Sequence, residues 1–212
     1  MFNGLIKDFG KIVANDGKKL QIASNIKVDL GDSVAVNGAC LSVVKYDNSS
    51  FCVELSTESA SVLALENFSV NSLVHLEPAM RLGDGIHGHL VQGHIDGLGV
   101  LENIKKKSSG VDYFVRLPKF ILPFIAHKGS VAVEGVSLTI SEIKGDIMRL
   151  SIIPLTLKDT LFKSFALGRR LHIESDLLAR YAARILEFSN NSKQNSNENL
   201  TWEECEFYAK LF

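Results

Sequence analysis

Residues Ser33–Ser42 read SVAVNGACLS, and residues Ser130–Thr139 read SVAVEGVSLT. Six of the ten positions are identical, and two of the changes are mild, Cys40 against Ser137 and Ser42 against Thr139. The same offset of 97 lays FCVELSTES (Phe51–Ser59) on MRLSIIPLT (Met148–Thr156). Upstream the offset is 89, with Gly4-Leu5-Ile6 on Gly93-His94-Ile95 and Gly10 on Gly99. A difference of eight between matched blocks is one loop of unequal length, which a surface tolerates at small entropic cost. The chain is therefore a duplication, with halves at about 1–89 and 90–185.

Within each half the apolar residues alternate in short runs broken by Gly, Asn and Asp, which is strand patterning. Asn37-Gly38 and Glu134-Gly135 interrupt such runs, where glycine supplies the positive φ of a tight turn or kink. Many short strands in so small a unit predict a mainly β fold, with a closed barrel in each half because closure removes exposed edges. The pattern changes at Asp176, a candidate N-cap: Leu177, Leu178, Tyr181, Ile185 and Leu186 form one stripe at helical spacing and predict a helix over about 177–188. A polar linker is expected over 189–199 and a short amphipathic helix over 200–212, opened by a capping box from Thr201 to Glu204.

The 212 residues are 46% hydrophobic and 22% charged, with 23 basic against 24 acidic side chains and a net charge of −1. That balance is ordinary for a globular protein and offers no basic surface for nucleic acid or an anionic membrane. An oligonucleotide-binding barrel would want a basic groove with aromatic stacking positions, which 8% aromatics do not suggest. Lys7 and Asp8 stand where a signal peptide would be apolar, and no apolar run is long enough to span a bilayer, so a cytoplasmic location is expected. Three cysteines without a Cys-x-x-Cys indicate neither a disulfide framework nor a zinc knuckle.

The densest polar cluster is GIHGHLVQGHID, which holds His87, His89, His94 and Asp96. Three readings stand: a metal site, histidines hydrogen-bonded around closely packed glycines, or an acid/base pair near a ligand. The metal reading is disfavoured because an extended strand turns His94 away from His89 and no Cys or carboxylate shows ligand spacing. Cys40 is a small buried hydrophobe or a nucleophile. Ser42 and Thr139 repeat a hydroxyl that suits a strand or a polar ring. Lys128 is a solvated cation or a partner for a ligand carbonyl.

The blocks MFNGLI, GDSVAVNGACLSV, VNSLVHLEPAM, GHLVQGHIDG, KGSVAVEGVSLT and IPLT, in this order over roughly residues 1–180, resemble the riboflavin synthase family. The resemblance implies two similar six-stranded Greek-key β-barrels, each binding a lumazine, followed by a C-terminal helix that assembles a homotrimer. It implies a transferase that dismutates two molecules of 6,7-dimethyl-8-ribityllumazine into riboflavin and 5-amino-6-ribitylamino-uracil, with no cofactor or metal. The carried-over substrate residues of the first barrel are Gly4, Leu5, Ile6, Cys40, Leu41, Ser42, Glu54, Leu55, Ser56, Thr57, Glu58 and Ser59. Those of the second are Gly93, His94, Ile95, Lys128, Ser137, Leu138, Thr139, Ser151, Ile152, Ile153, Pro154, Leu155 and Thr156, with Asp176 at the junction between subunits. Cys40 and His94 are the catalytic candidates. Departures from the family pattern Glu-Thr-Leu-x-x-Thr fall at Ser59 and Leu63, where threonines are usual, at Ala60, where leucine is, and at His87, where a double glycine begins. The resemblance also admits a non-catalytic lumazine- or flavin-binding protein of the same fold, and an association with lumazine synthase.

Overall fold

The computed structural model describes residues 1–195, so the expected helix at 200–212 lies outside the described residues. The first barrel consists of β1 (Asp8–Asn15), β2 (Lys19–Ala23), β3 (Ser33–Val36), β4 (Ala39–Tyr46), β5 (Ser50–Glu54) and β6 (Leu73–Pro78). The second consists of β7 (Gly97–Lys107), β8 (Gly110–Arg116), β9 (Ser130–Val133), β10 (Val136–Lys144), β11 (Ile147–Ile152) and β12 (Arg170–Ser175). Each closes on itself with six antiparallel strands, in the order β1-β2-β5-β4-β3-β6 and, equivalently, β7-β8-β11-β10-β9-β12. Short helices α1 (Thr57–Val62) and α2 (Pro154–Lys158) follow β5 and β11, and α3 (Leu177–Asn195) follows β12.

The duplicated decapeptide is the β3–β4 hairpin in one half and the β9–β10 hairpin in the other, with Val36 opposite Ala39 and Val133 opposite Val136. The two-residue connections have positive φ at both positions, 47° and 87° at Asn37-Gly38 and 50° and 79° at Glu134-Gly135. Such mirror-image turns match strand twist, and Asn-Gly is their preferred sequence. Glu134 is a less usual occupant and is held there by its surroundings: its Oε1 accepts the His172 backbone N–H at 2.8 Å, and its Oε2 faces Arg169 at 3.4 Å. Bulges recur at matched places, at Ile12/Ala14 and Leu101/Asn103, and at Val43/Lys45 and Ile140/Glu142. They bend long strands round a small barrel.

Every second residue of these strands points inward. Ile12, Leu20, Ile22, Val34, Phe51, Val53 and Leu76 fill the first core, and Leu101, Val115, Val131, Ile140, Met148, Leu150 and Ile173 fill the second. Each such side chain contributes about 1.5–3 kcal/mol of burial, so two separate cores stabilise two separate barrels.

The barrels meet back to back across a pseudo-twofold axis at the two hairpin turns, where a Cβ added to Gly38 would lie 2.6 Å from the Gly135 nitrogen. A histidine from each barrel crosses this junction. The Nδ1–H of His75 in β6 donates to the Glu134 carbonyl at 2.8 Å, and its Nε2 accepts from the Leu161 amide at 2.7 Å. The Nδ1–H of His172 in β12 donates to the Asn37 carbonyl at 3.1 Å, and its Nε2 accepts from the Ala64 amide at 3.0 Å. Leu161 and Ala64 lie just beyond α2 and α1, so each histidine pins the segment that follows the other barrel's site helix.

α3 runs on to Asn195, into the stretch read as a polar linker from residue 189. Asp176 caps it, accepting the Leu178 amide at 2.9 Å. Ser, Asn, Lys and Gln cost only tenths of a kcal/mol each inside a helix, too little to stop one already nucleated.

Candidate functional site

The two leading segments, Phe2–Ile6 and Val91–Ile95, lie antiparallel across the pseudo-axis. Phe2 and Val91 exchange backbone hydrogen bonds of 2.7 and 3.1 Å. Each segment is gripped by a carboxylate of its own barrel. Glu77 in β6 accepts from the amides of Asn3 at 2.7 Å and Gly4 at 3.0 Å, and Glu174 in β12 accepts from those of Gln92 at 2.7 Å and Gly93 at 2.9 Å. Burial pushes both carboxyls up in pKa against these amides, Glu174 to about 7.

Past the grip each segment crosses to the opposite barrel. The Gly4 carbonyl accepts from the Ser137 amide at 2.8 Å, and the Gly93 carbonyl accepts from the Cys40 amide at 2.9 Å. Ile6 then packs on the second barrel's core and Ile95 on the first barrel's core. Only glycine permits this approach: Gly4 and Gly93 have φ of 72° and 80°, and a Cβ on either would lie 2.6 Å from the Cβ of Ser137 or Cys40.

The partition of residues between sites therefore differs from that expected. Gly93, His94 and Ile95 line the cavity of the first barrel, while Gly4 lies against Ser137 and Ile6 against the core of the second. Sequence repetition pairs equivalent segments, but which barrel a segment packs against is set by a hydrogen bond across the pseudo-axis. The first site is a cavity of ≈ 450 Å³ lined by Ala39, Cys40, Glu58, Ser59, Val62, Leu63, Gly93, His94 and Ile95. Ser56 caps α1 through the Ser59 amide at 3.0 Å and so sets the helix that forms its wall. Thr57 opens α1, and Glu54 ends β5 opposite Ser42.

On the second barrel the repeat places Ser137, Leu138 and Thr139 with Gly4–Ile6, and α2 with Thr156 in the position of α1. Pro154 starts α2, where a missing N–H costs nothing, and Ile153 and Leu155 are exposed beside it. Leu41, Leu55 and Ile152 face the barrel cores, so only their backbone groups are available to a ligand. Ser151 pairs with Asp112 across β11 and β8. Lys128, at φ 66°, precedes β9, and its amide donates to the Ile140 carbonyl at 2.9 Å. Its exposed ammonium makes no ion pair among the described residues.

The histidine cluster separates. His94 is exposed at the first cavity, and its carbonyl accepts from Arg180 of α3 at 3.3 Å. His89 is buried, with Nδ1 2.7 Å from the Ser137 hydroxyl oxygen. Burial pulls its pKa down, opposed by the charge of Asp176. His87 lines a different cleft, with Lys7, Lys27 and Arg81. Among the described residues no group of three His, Cys, Asp or Glu side chains is spaced to hold a metal ion.

Several residues that build the sites were not read from the sequence: His75, His172, Glu77, Glu174 and Arg180. The signal for four of them was present, since VHLEP at 74–78 and LHIES at 171–175 continue the 97-residue repeat. Arg180 has no such partner in the first half. Its guanidinium lies 3.4 Å from Asp96 and 3.5 Å from Glu174, tying α3 to the crossing segment.

A model of the lumazine binding domain matches this chain twice, at residues 3–79 and 92–176. A riboflavin synthase of Photobacterium phosphoreum is 36% identical over 194 residues, covering 88% of this chain and 89% of the relative. That of Bacillus subtilis (strain 168) is 34% identical over 200 residues, covering 91% and 93%. Among solved structures, LumP complexed with 6,7-dimethyl-8-(1'-D-ribityl) lumazine superposes with a TM-score of 0.71 at 21% identity, over 82% of this chain and 99% of that one. LumP complexed with riboflavin gives 0.73 at the same identity. These two share the fold. Two matched barrels and relatives that align along most of their length establish that this chain belongs to the riboflavin synthase family, transferases built on a duplicated lumazine-binding domain.

Proposed function

We propose that this chain is a riboflavin synthase that binds 6,7-dimethyl-8-ribityllumazine once on each barrel and transfers a four-carbon unit from one molecule to the other. The products are riboflavin and 5-amino-6-ribitylamino-uracil. Two identical substrates contain all the atoms of the two products, and no net oxidation occurs, so the reaction asks for no cofactor. The observation that carries this reading is the doubled site, each half of which contributes a segment to both places.

The C7 methyl of one lumazine is acidic because its anion delocalises into the ring, and C7 of the second accepts a nucleophile. Alignment of the two rings is the main task, and effective molarities from good alignment reach about 10⁵ M or more. Cys40 and His94, both at the first cavity, are the candidates for activating that nucleophile and moving protons. The remaining contacts are largely backbone amides and carbonyls of Gly4–Ile6, Gly93–Ile95 and the two hairpins, which suit a ring edge of alternating donors and acceptors.

As the family resemblance implies, the face-to-face rings would come from neighbouring subunits. α3 supplies the means: Leu178, Tyr181, Ile185 and Leu186 are each more than 60% exposed along one stripe. Such a stripe is covered by its own copies, and we assign it to a cytoplasmic homotrimer. Incubation of the purified protein with the lumazine tests the reading: riboflavin and the diaminouracil should appear in equal amounts. Lumazine binding without riboflavin would make it a binding protein of the LumP kind.

A further inference from the structure

The two sites are duplicates in backbone but not in what stands behind the hairpin residue. Behind Ser137 stands His89, which is 92% buried by its 8% exposure and reaches the hydroxyl with Nδ1 at 2.7 Å. Among the described residues no histidine is hydrogen-bonded to the Cys40 side chain, whose neighbour across the pseudo-axis is the Gly93 backbone. We infer that His89 is a positioning residue that fixes the Ser137 hydroxyl as a hydrogen-bond donor to the lumazine bound on the second barrel. The inference rests on the function proposed above.

The tautomer decides the direction. Burial keeps the His89 ring neutral at neutral pH, so it carries one N–H. Its Nε2 is buried without a partner among the described residues. An orphaned buried N–H is rarer and costlier than an orphaned lone pair, so the proton sits on Nδ1 and is donated to Ser137 Oγ. That occupies a serine lone pair and frees the serine's own proton. Two directions around the side chain are crowded: Gly4 packs on its Cβ, and a Cβ on Gly88 would lie 3.0 Å from its Oγ. A lumazine seated on the second barrel would take the freed proton. Cys40, with a weak S–H donor and no such support, offers the first site no equivalent. The duplicated barrels thereby present unlike hydrogen-bonding faces to two identical molecules.

Lumazine titration of the full-length protein, followed by ligand fluorescence, tests this with His89→Ala, His89→Asn, Ser137→Ala and the His89→Ala/Ser137→Ala pair. An asparagine amide nitrogen occupies the position of Nδ1 and donates as the ring does. His89→Ala should weaken one of two lumazine sites about tenfold and leave the other unchanged, the size of one net hydrogen bond. His89→Asn should regain most of the loss, and in the Ser137→Ala background His89→Ala should add nothing. Equal weakening by Ala and Asn, or losses that multiply in the pair, would reduce His89 to packing and overturn the inference, as would wild-type binding at both sites in His89→Ala. Wild-type protein that binds no lumazine would instead remove the functional reading on which the inference stands.

Discussion

The first and second barrels keep the same frame and differ in the side chains placed on it. Gly4 and Gly93, Glu77 and Glu174, and His75 and His172 are identical pairs that make matching backbone hydrogen bonds, the carboxylates within their own barrel and the histidines across the junction. Cys40 and Ser137, and Asn37 and Glu134, are not. Arg180 covers Glu174 from α3, whereas Glu77 lines an open cleft with Lys7. Under the proposed function, one backbone geometry would hold the same heterocycle on both barrels, while the different demands on donor and acceptor would fall on the side chains that diverge.

Breaking the frame has the largest expected effect. A chain of residues 1–89 lacks Gly93–Ile95, so its cavity is incomplete as a monomer. It should bind lumazine only when two copies pair and the Gly4–Ile6 of one takes the place of Gly93–Ile95 in the other. Sedimentation with and without lumazine checks this; tight binding by a monomer would show that the crossing segment is dispensable. Removal of residues 177–212 leaves both barrels whole, and should abolish the oligomer and most riboflavin formation while lumazine affinity stays within about twofold.

The junction gives a smaller, pH-dependent effect. Burial pulls His75 down to about 4 from an ordinary 6.5. Between these values the unfolded chain binds a proton that the folded ring refuses. Stability is therefore complete above about 6.5 and falls as pH drops towards 4, by about 3 kcal/mol from this residue. Urea unfolding at pH 7.5 and 5 should show the loss, and His75→Gln should flatten it. An equal slope in the variant would assign the acid sensitivity elsewhere.

Smallest in structural terms is Cys40→Ser, which makes the first hairpin like the second. It should leave stability and lumazine affinity nearly unchanged and lower riboflavin turnover about tenfold or more, because a group acting on the transition state affects rate before binding. Unchanged turnover would return Cys40 to packing.

The repeated decapeptide made the barrels legible, since strand alternation and the Asn37-Gly38 turn are local properties. The helix at Leu177 was legible through its stripe, but not its end, because polar residues weaken a helix without stopping it. The sites were legible as segments and not as assemblies. Nothing in the sequence around Gly93 says that its carbonyl meets Cys40 rather than Ser137, because that contact depends on how two finished barrels dock. His89 shows the same limit. Its proximity to His87 and His94 in sequence suggested one cluster, while the bend at Gly88 and the positive φ of Gly93 send the three rings to three places.

The crossed construction of the sites is tested most directly by counting lumazine on Gly93→Ala. The added methyl would meet the Cβ of Cys40 at 2.6 Å, at a φ of 80° that disfavours any side chain. Equilibrium titration should find two lumazines per wild-type chain and one on the variant, retained at the Ser137 site, with circular dichroism unchanged. Two lumazines on a folded Gly93→Ala chain, or loss of the Ser137 site instead, would contradict the account.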